Sequence, residues 1–125
     1  MKLYINTILE GKIKVALIDG NKNIELEMKT NRNEAEKLLI LVEKLLSDNG
    51  VSFNRISKII VADSGGSFTS LRIGVLSANA LAYAYNIPVE GESGAQPIDF
   101  SEFKVVNPIY DKEPNIGISK KKPLL

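Results

Sequence analysis

The sequence predicts an α/β domain: one mixed β-sheet with helices, in the order βββαβαβ, forming a single subdomain. Two features carry that reading. Apolar residues recur at every second position over 13–17 and again over 24–28, then at helical spacing from residue 35 onward. A β-branched, mostly apolar stretch at 56–62, interrupted by Ser57 and Lys58, then stands between two helical stretches, which makes it a crossover strand. The length of 125 residues suits one domain, and 44% hydrophobic with 25% charged residues is the composition of a globular chain, not a disordered one.

The elements follow in order. Leu3 to Thr7 is a compact apolar stretch, and Glu10-Gly11 marks a turn. Ile13, Val15 and Leu17 alternate with Lys12, Lys14 and Ala16, as in a half-buried strand. Asp19-Gly20-Asn21 is a hairpin signal, because Gly and Asn tolerate the positive φ of tight turns. Ile24, Leu26 and Met28 form the third strand of an antiparallel meander. Asn33 with Glu36 resembles a capping box. Ala35, Leu38, Leu39, Val42, Leu45 and Leu46 share one helical stripe, Leu41 widens it, and Ile40 lies opposite. Asn49-Gly50 stops that helix. Ile56 to Ala62 reads as a strand covered on both faces. Asp63 to Ser67 is a sharp turn into a second helix, Phe68 to Tyr85, which Asn86-Ile87-Pro88 ends before a fifth strand. Residues 90–96 read as loop, 102–106 as one further short strand, and the rest as an extended, partly mobile tail. The expected organisation is therefore a subdomain at 1–92 and a short C-terminal extension at 93–125.

Composition excludes several chemistries. Sixteen Lys and Arg against fifteen Asp and Glu leave a net charge of +1, so no broad basic surface for nucleic acid is expected. The chain has no Cys and no His. Disulfides, thiolate metal sites, cysteine nucleophiles and Ser-His-Asp arrangements are thereby removed. The start lacks a signal-peptide pattern and no window has the ~18 apolar residues of a membrane span, so a cytoplasmic protein without membrane contact is expected.

Two stretches point to binding. The Gly65-Gly66-Ser67 turn leads from a strand into a helix N-terminus, where backbone N–H groups suit an anion. Gly65, Gly66, Ser67 and Thr69 are its candidate phosphate-loop residues, although neither a Walker A nor a dinucleotide pattern is present. Ser67 and Thr69 either cap the helix or also touch a phosphate. The second helix has apolar residues on two sides. Leu71, Gly74, Val75, Ala78, Leu81, Ala82 and Tyr85 form one stripe, and Ile73, Leu76, Ala80 and Ala84 form another with Ser77 beside it. A helix on one sheet needs a single apolar face. Either the two helices cover each other, or their outer surfaces meet another chain. The candidate interface residues are Leu41, Arg72, Ile73, Leu76, Ser77, Ala80, Tyr83 and Ala84.

The stretch Gly65-Gly66-Ser67-Phe68-Thr69-Ser70-Leu71-Arg72-Ile73-Gly74 resembles the G-P-G-S-F-T-G-L-R-I-G signature of the TsaB (YeaZ) family of tRNA threonylcarbamoyladenosine synthesis. Ile5-Asn6-Thr7 with Val15-Ala16-Leu17 is similar to its opening hairpin, Glu34-Ala35-Glu36 stands where it has His-Ser-Glu, and Leu81-Ala82, Ile87-Pro88-Val89 and Asn107-Pro108-Ile109-Tyr110 match later patterns. The resemblance covers residues 1–90 well and the remainder thinly. It implies an actin-like (ribonuclease-H-like) fold. It also implies a non-catalytic subunit that pairs through its helices with the catalytic, metal-bearing TsaD, or with itself in isolation. A TsaE-like ATPase would join, tRNA would be met indirectly through the complex, and ATP would bind only at a shared interface. On that reading the chain is no enzyme, carries no catalytic or metal-ligating residues and has no cofactor of its own.

Departures bear on this. Ser64 and Ser70 replace two family glycines, Asn6 replaces the first-strand Asp, and the second subdomain is expected to be reduced to a short extension. The runner-up is an actin-like nucleotide-binding or hydrolysing enzyme using Gly65-Gly66, and a third reading is a homodimeric interaction module unconnected with tRNA. Arg72 closes the loop, bonds a partner carboxylate or faces solvent. Phe68 is a core anchor or a stacking platform. Asp63, ending a strand, is the one lone acid considered for catalysis. Lys120-Lys121-Lys122 is a solvated run or a weak contact to tRNA phosphates.

Overall fold

Backbone pairing brings the first half of the chain into one sheet. In this computed structural model, which describes residues 1–31, 33–100 and 103–110, strands β1 (Lys2–Asn6), β2 (Lys12–Asp19) and β3 (Lys22–Lys29) form an antiparallel meander. Strand β4 (Lys58–Val61) then joins β1 in parallel, and β5 (Val89–Gly91) joins β4 in parallel. The resulting order is β3-β2-β1-β4-β5. Gly20 takes φ +63° in the β2–β3 hairpin, the conformation the Asp19-Gly20-Asn21 signal calls for.

Register places one side of every central strand against the core. Leu3 faces Leu17 and Ile59, Ile5 faces Val15 and Val61, and Ile59 faces Val89; all are buried. Helix α1 (Glu34–Asp48) lies over β2 and β3, helix α2 (Phe68–Tyr85) over β1, β4 and β5, and the two helices touch. Their Leu38, Val42, Leu45, Leu71, Val75 and Ala78 complete a single cluster with the strands. The other face of the sheet carries Tyr4, Ala16, Ile60 and charged neighbours, with no helix among the described residues. β4 is therefore not covered on both faces: its residues alternate between buried and half-buried. Its apolar run misleads because Ile56, though buried, belongs to the turn after a short 3-10 helix (Phe53–Arg55) and not to the strand.

Three further expectations are corrected. The Asn33 side chain makes no cap hydrogen bond, so no capping box forms. Leu39 is 50% exposed, whereas Leu41 is only 2% exposed, so the buried stripe of α1 is Leu38, Leu41, Val42, Leu45 and Leu46. Tyr85 is half exposed and stacks on Phe53 with ring centroids 4.0 Å apart. Beyond β5, strands β6 (Ile98–Phe100) and β7 (Phe103–Val105) form a separate antiparallel hairpin, of which only β7 is legible in the sequence. The Asn79 side chain holds the segment after β7 to α2: its Nδ2 donates to the Val106 carbonyl at 2.9 Å, and its Oδ1 accepts the Val106 N–H at 2.8 Å. Lys120-Lys121-Lys122 lies outside the described residues.

Candidate functional site

The glycine turn is built around close contact with the first hairpin. Gly65 and Gly66 have φ of +92° and +70°, which L side chains rarely adopt. A Cβ on Gly66 would stand 2.6 Å from Ile8 Cβ and 2.9 Å from the Ile8 carbonyl oxygen. Ile8 thus packs closely on Gly66. Ser67 is the N-cap of α2, its hydroxyl accepting the Ser70 N–H at 3.0 Å. Capping therefore explains Ser67. Thr69 is exposed and lines a shallow cleft of about 170 Å³ with Arg72, Ile73 and Leu76.

Close approach explains the next glycines. Thr7 Oγ1 donates to the Ser70 carbonyl at 2.6 Å, drawing α2 onto β1. A Cβ on Gly74 would collide with the Thr7 side chain, so this position admits only glycine at the present spacing. Gly91 is placed the same way against Asp63. Asp63 is 1% exposed, and its carboxylate accepts the Ser93 N–H at 2.9 Å and the Ser93 hydroxyl at 2.7 Å. Its carboxylate thus anchors the loop after β5.

Asn6, itself buried, is part of a second network that runs out to the surface. Its Nδ2 donates to the Tyr4 oxygen at 3.0 Å, and its Oδ1 accepts the Ile8 N–H at 2.9 Å. The Tyr4 hydroxyl in turn donates to the Glu92 carboxylate, 3.0 Å from either oxygen. Burial, reinforced by that carboxylate, pushes the Tyr4 phenol up to about 12. Among the described residues, no three His, Cys, Asp or Glu side chains gather as a metal site.

The outer side of α2 is the other candidate. Leu76 is 58% and Tyr83 67% exposed, with Ala80 and Ala84 exposed and Ile73 and Ser77 half-buried between them. From Ile73 to Tyr85 the helix carries no charged residue. The two helices therefore do not cover each other completely. Leu41 drops out of the interface set: it is in the core, because α1 turns that residue toward the sheet. On α1 the exposed large apolar residues are Leu39 and Ile40, and Ala35, placed on the stripe by its spacing, is exposed as well. Periodicity places Ile40 opposite the stripe, as found, but cannot separate Leu39 from a stripe that includes Leu38 and Val42. Arg72 is exposed, with its guanidinium 5.6 Å from the Phe68 ring centre. Phe68 stacks on Tyr110 at 4.6 Å, so it is a stacking platform for the chain's own C-terminal segment. That segment covers the Phe68–Asn79 flank of α2 and leaves Leu76 and Tyr83 in water.

Comparison with known proteins places this geometry. The family model described as "TsaD: tRNA N6-adenosine threonylcarbamoyltransferase" matches residues 26–96. The chain is 32% identical over 83 residues to the tRNA threonylcarbamoyladenosine biosynthesis protein TsaB of Bacillus subtilis, covering 64% of this chain and 36% of that protein. It is 34% identical over 61 residues to the tRNA N6-adenosine threonylcarbamoyltransferase of Bacillus subtilis, covering 49% and 18%. The solved structure of YeaZ from Pseudomonas aeruginosa superposes with a TM-score of 0.66 at 28% identity, covering 73% of this chain and 43% of that one. The chain thus spans less than half the length of each of these relatives.

Proposed function

The chain belongs to the TsaB (YeaZ) family, with an actin-like, TsaD-related fold, and from that premise we propose that it is a non-catalytic scaffold in tRNA threonylcarbamoyladenosine synthesis. It pairs through the outer side of α2 with a TsaD-like catalytic subunit in the cytoplasm, and with a second copy of itself when alone. A TsaE-like ATPase and the tRNA join through that complex, and ATP binds only at an interface the subunits share.

The observation supporting this reading is the apolar outer side of α2. Leu76 and Tyr83, both more than half exposed, flank the small Ala80 on a stretch without charge. Small residues let a second helix approach closely, and contiguous exposed apolar surface of this kind marks an interaction site in a soluble protein. A specific partner would bury roughly 1,600 Å² in total, for which this stripe supplies an apolar centre. The glycine turn supports the same division of labour. Ile8 packs on Gly66, and Asp63 serves the loop at Ser93, so both features are accounted for by packing.

The test is co-purification with the TsaD-like protein of the same genome, with Ala80→Arg as the control. Wild type should retain the partner and the variant should lose it while keeping its circular dichroism spectrum. Monomeric sedimentation of both proteins at high concentration, with no TsaD held by either, would abandon the scaffold.

A further inference from the structure

The outer side of α2 changes in size and charge along its length. Ile73 and Leu76 stand in its N-terminal half, and Ala80 and Ala84 continue the same row toward the C-terminus. Bulk is therefore at one end and space at the other. Arg72 is the only charged residue of the helix and stands early in it. Its exposed guanidinium lies 5.6 Å from the Phe68 ring centre and pairs with no carboxylate among the described residues. α2 has no acid in its first turn and no base in its last, so its own side chains offset neither end of the helix dipole.

Both gradients are satisfied when a second α2 crosses the first in the opposite direction. Setting Leu76 on Ala80 of the second copy fixes the register. In that register Ile73 falls beside Ala84, so each bulky side chain meets a small one, and twofold symmetry makes every contact twice. Arg72 then leaves the end of the dipole that repels a cation and reaches the C-terminal end of the opposite helix, which attracts one. Tyr83, 67% exposed, stands there on the same flank and offers its ring to the guanidinium. Pairing in the same direction would do the reverse, stacking Leu76 on Leu76 and holding Arg72 beside Arg72, a like-charge contact that costs affinity.

We propose that a second copy of this chain docks on α2 in antiparallel register, Leu76 on Ala80 and Ile73 on Ala84, with Arg72 as the residue that sets the direction. The proposal rests on the scaffold reading, whose self-association it specifies.

Cysteine trapping reads the register directly, because the chain has no Cys of its own. Chains carrying Ile73→Cys and chains carrying Ala84→Cys, each with an unchanged circular dichroism spectrum, are mixed and oxidised. A disulfide needs Cα atoms within about 7 Å. In the antiparallel register, position 73 of one copy meets position 84 of the other. Like positions lie roughly 15 Å or more apart along the helices at about 1.5 Å per residue. The mixed disulfide dimer should therefore exceed either like-with-like dimer at least tenfold. Arg72→Glu should weaken self-association of the otherwise unaltered chain at least tenfold by sedimentation. Like-with-like disulfides in excess would overturn the register while leaving the scaffold reading intact, as would an Arg72→Glu chain that associates like wild type. Wild type that stays monomeric at high concentration yet retains the TsaD-like protein would overturn the proposal alone, and loss of both associations would remove the scaffold with it.

Discussion

One side of α2 carries Leu71, Gly74, Val75, Ala78 and Ala82, and the other carries Ile73, Leu76, Ala80, Tyr83 and Ala84. The composition is much the same, yet the first set is buried and the second is half-buried or exposed. The inner side is held by fit. Thr7 bonds the Ser70 carbonyl and leaves room for no side chain at Gly74. On the outer side Leu76 and Tyr83 are more than half exposed, and the C-terminal segment meets α2 at Phe68 and Asn79. Apolar character alone therefore does not separate core from exposed surface. The number of neighbours does.

The sharpest contrast comes from one substitution on each side. Ala80→Arg should leave the melting temperature nearly unchanged, yet weaken helix-mediated association by about 3–5 kcal/mol by burying an unpaired charge. Analytical ultracentrifugation beside thermal denaturation reads both quantities. Leu71→Ala should do the reverse, removing about 2–5 kcal/mol of folding stability through a core cavity, measured by urea unfolding. Equal behaviour of the two variants would erase the distinction between the sides.

Gly66→Val extends the comparison to the start of the helix. It places a branched side chain at φ +70° against Ile8, so a stability loss of about 1–3 kcal/mol is expected. Any lost ligand binding in this variant is interpretable only beside its unfolding curve. The smallest effect concerns the open sheet face. Tyr4 is neutral in the fold to about pH 12, against 10 ordinarily, so its contribution is complete below pH 10 and lost as pH rises through 12. Tyr4→Phe should remove a phenol titrating near 12 from the ultraviolet absorbance curve and flatten that part of the stability profile.

Much of this was legible locally. The bounds of α2 follow from Ser67, whose hydroxyl caps the helix, and from Asn86, which takes the left-handed conformation at its end. The meander follows from alternation and from Gly20. Other features were not legible for definite reasons. Leu39 and Leu41 sit on either side of the α1 stripe, and only the direction of the sheet decides which is buried. Asp63 has no partner nearby in sequence, and Ser93, which bonds its carboxylate, lies thirty residues on. Phe68 had two readings that only Tyr110 separates. β6 has no periodic signal, being three residues long.

The sequence by itself determined the five strands of the main sheet, the two helices, their order and the apolarity of both sides of α2, because periodicity and turn chemistry act over a few neighbouring residues. Only the tertiary structure decided which apolar side is left in water, why Gly66, Gly74 and Gly91 are glycine, and that one face of the sheet has no helix among the described residues. Those properties depend on contacts between residues far apart in the chain, and steric exclusion and burial are settled by what arrives from elsewhere in the fold.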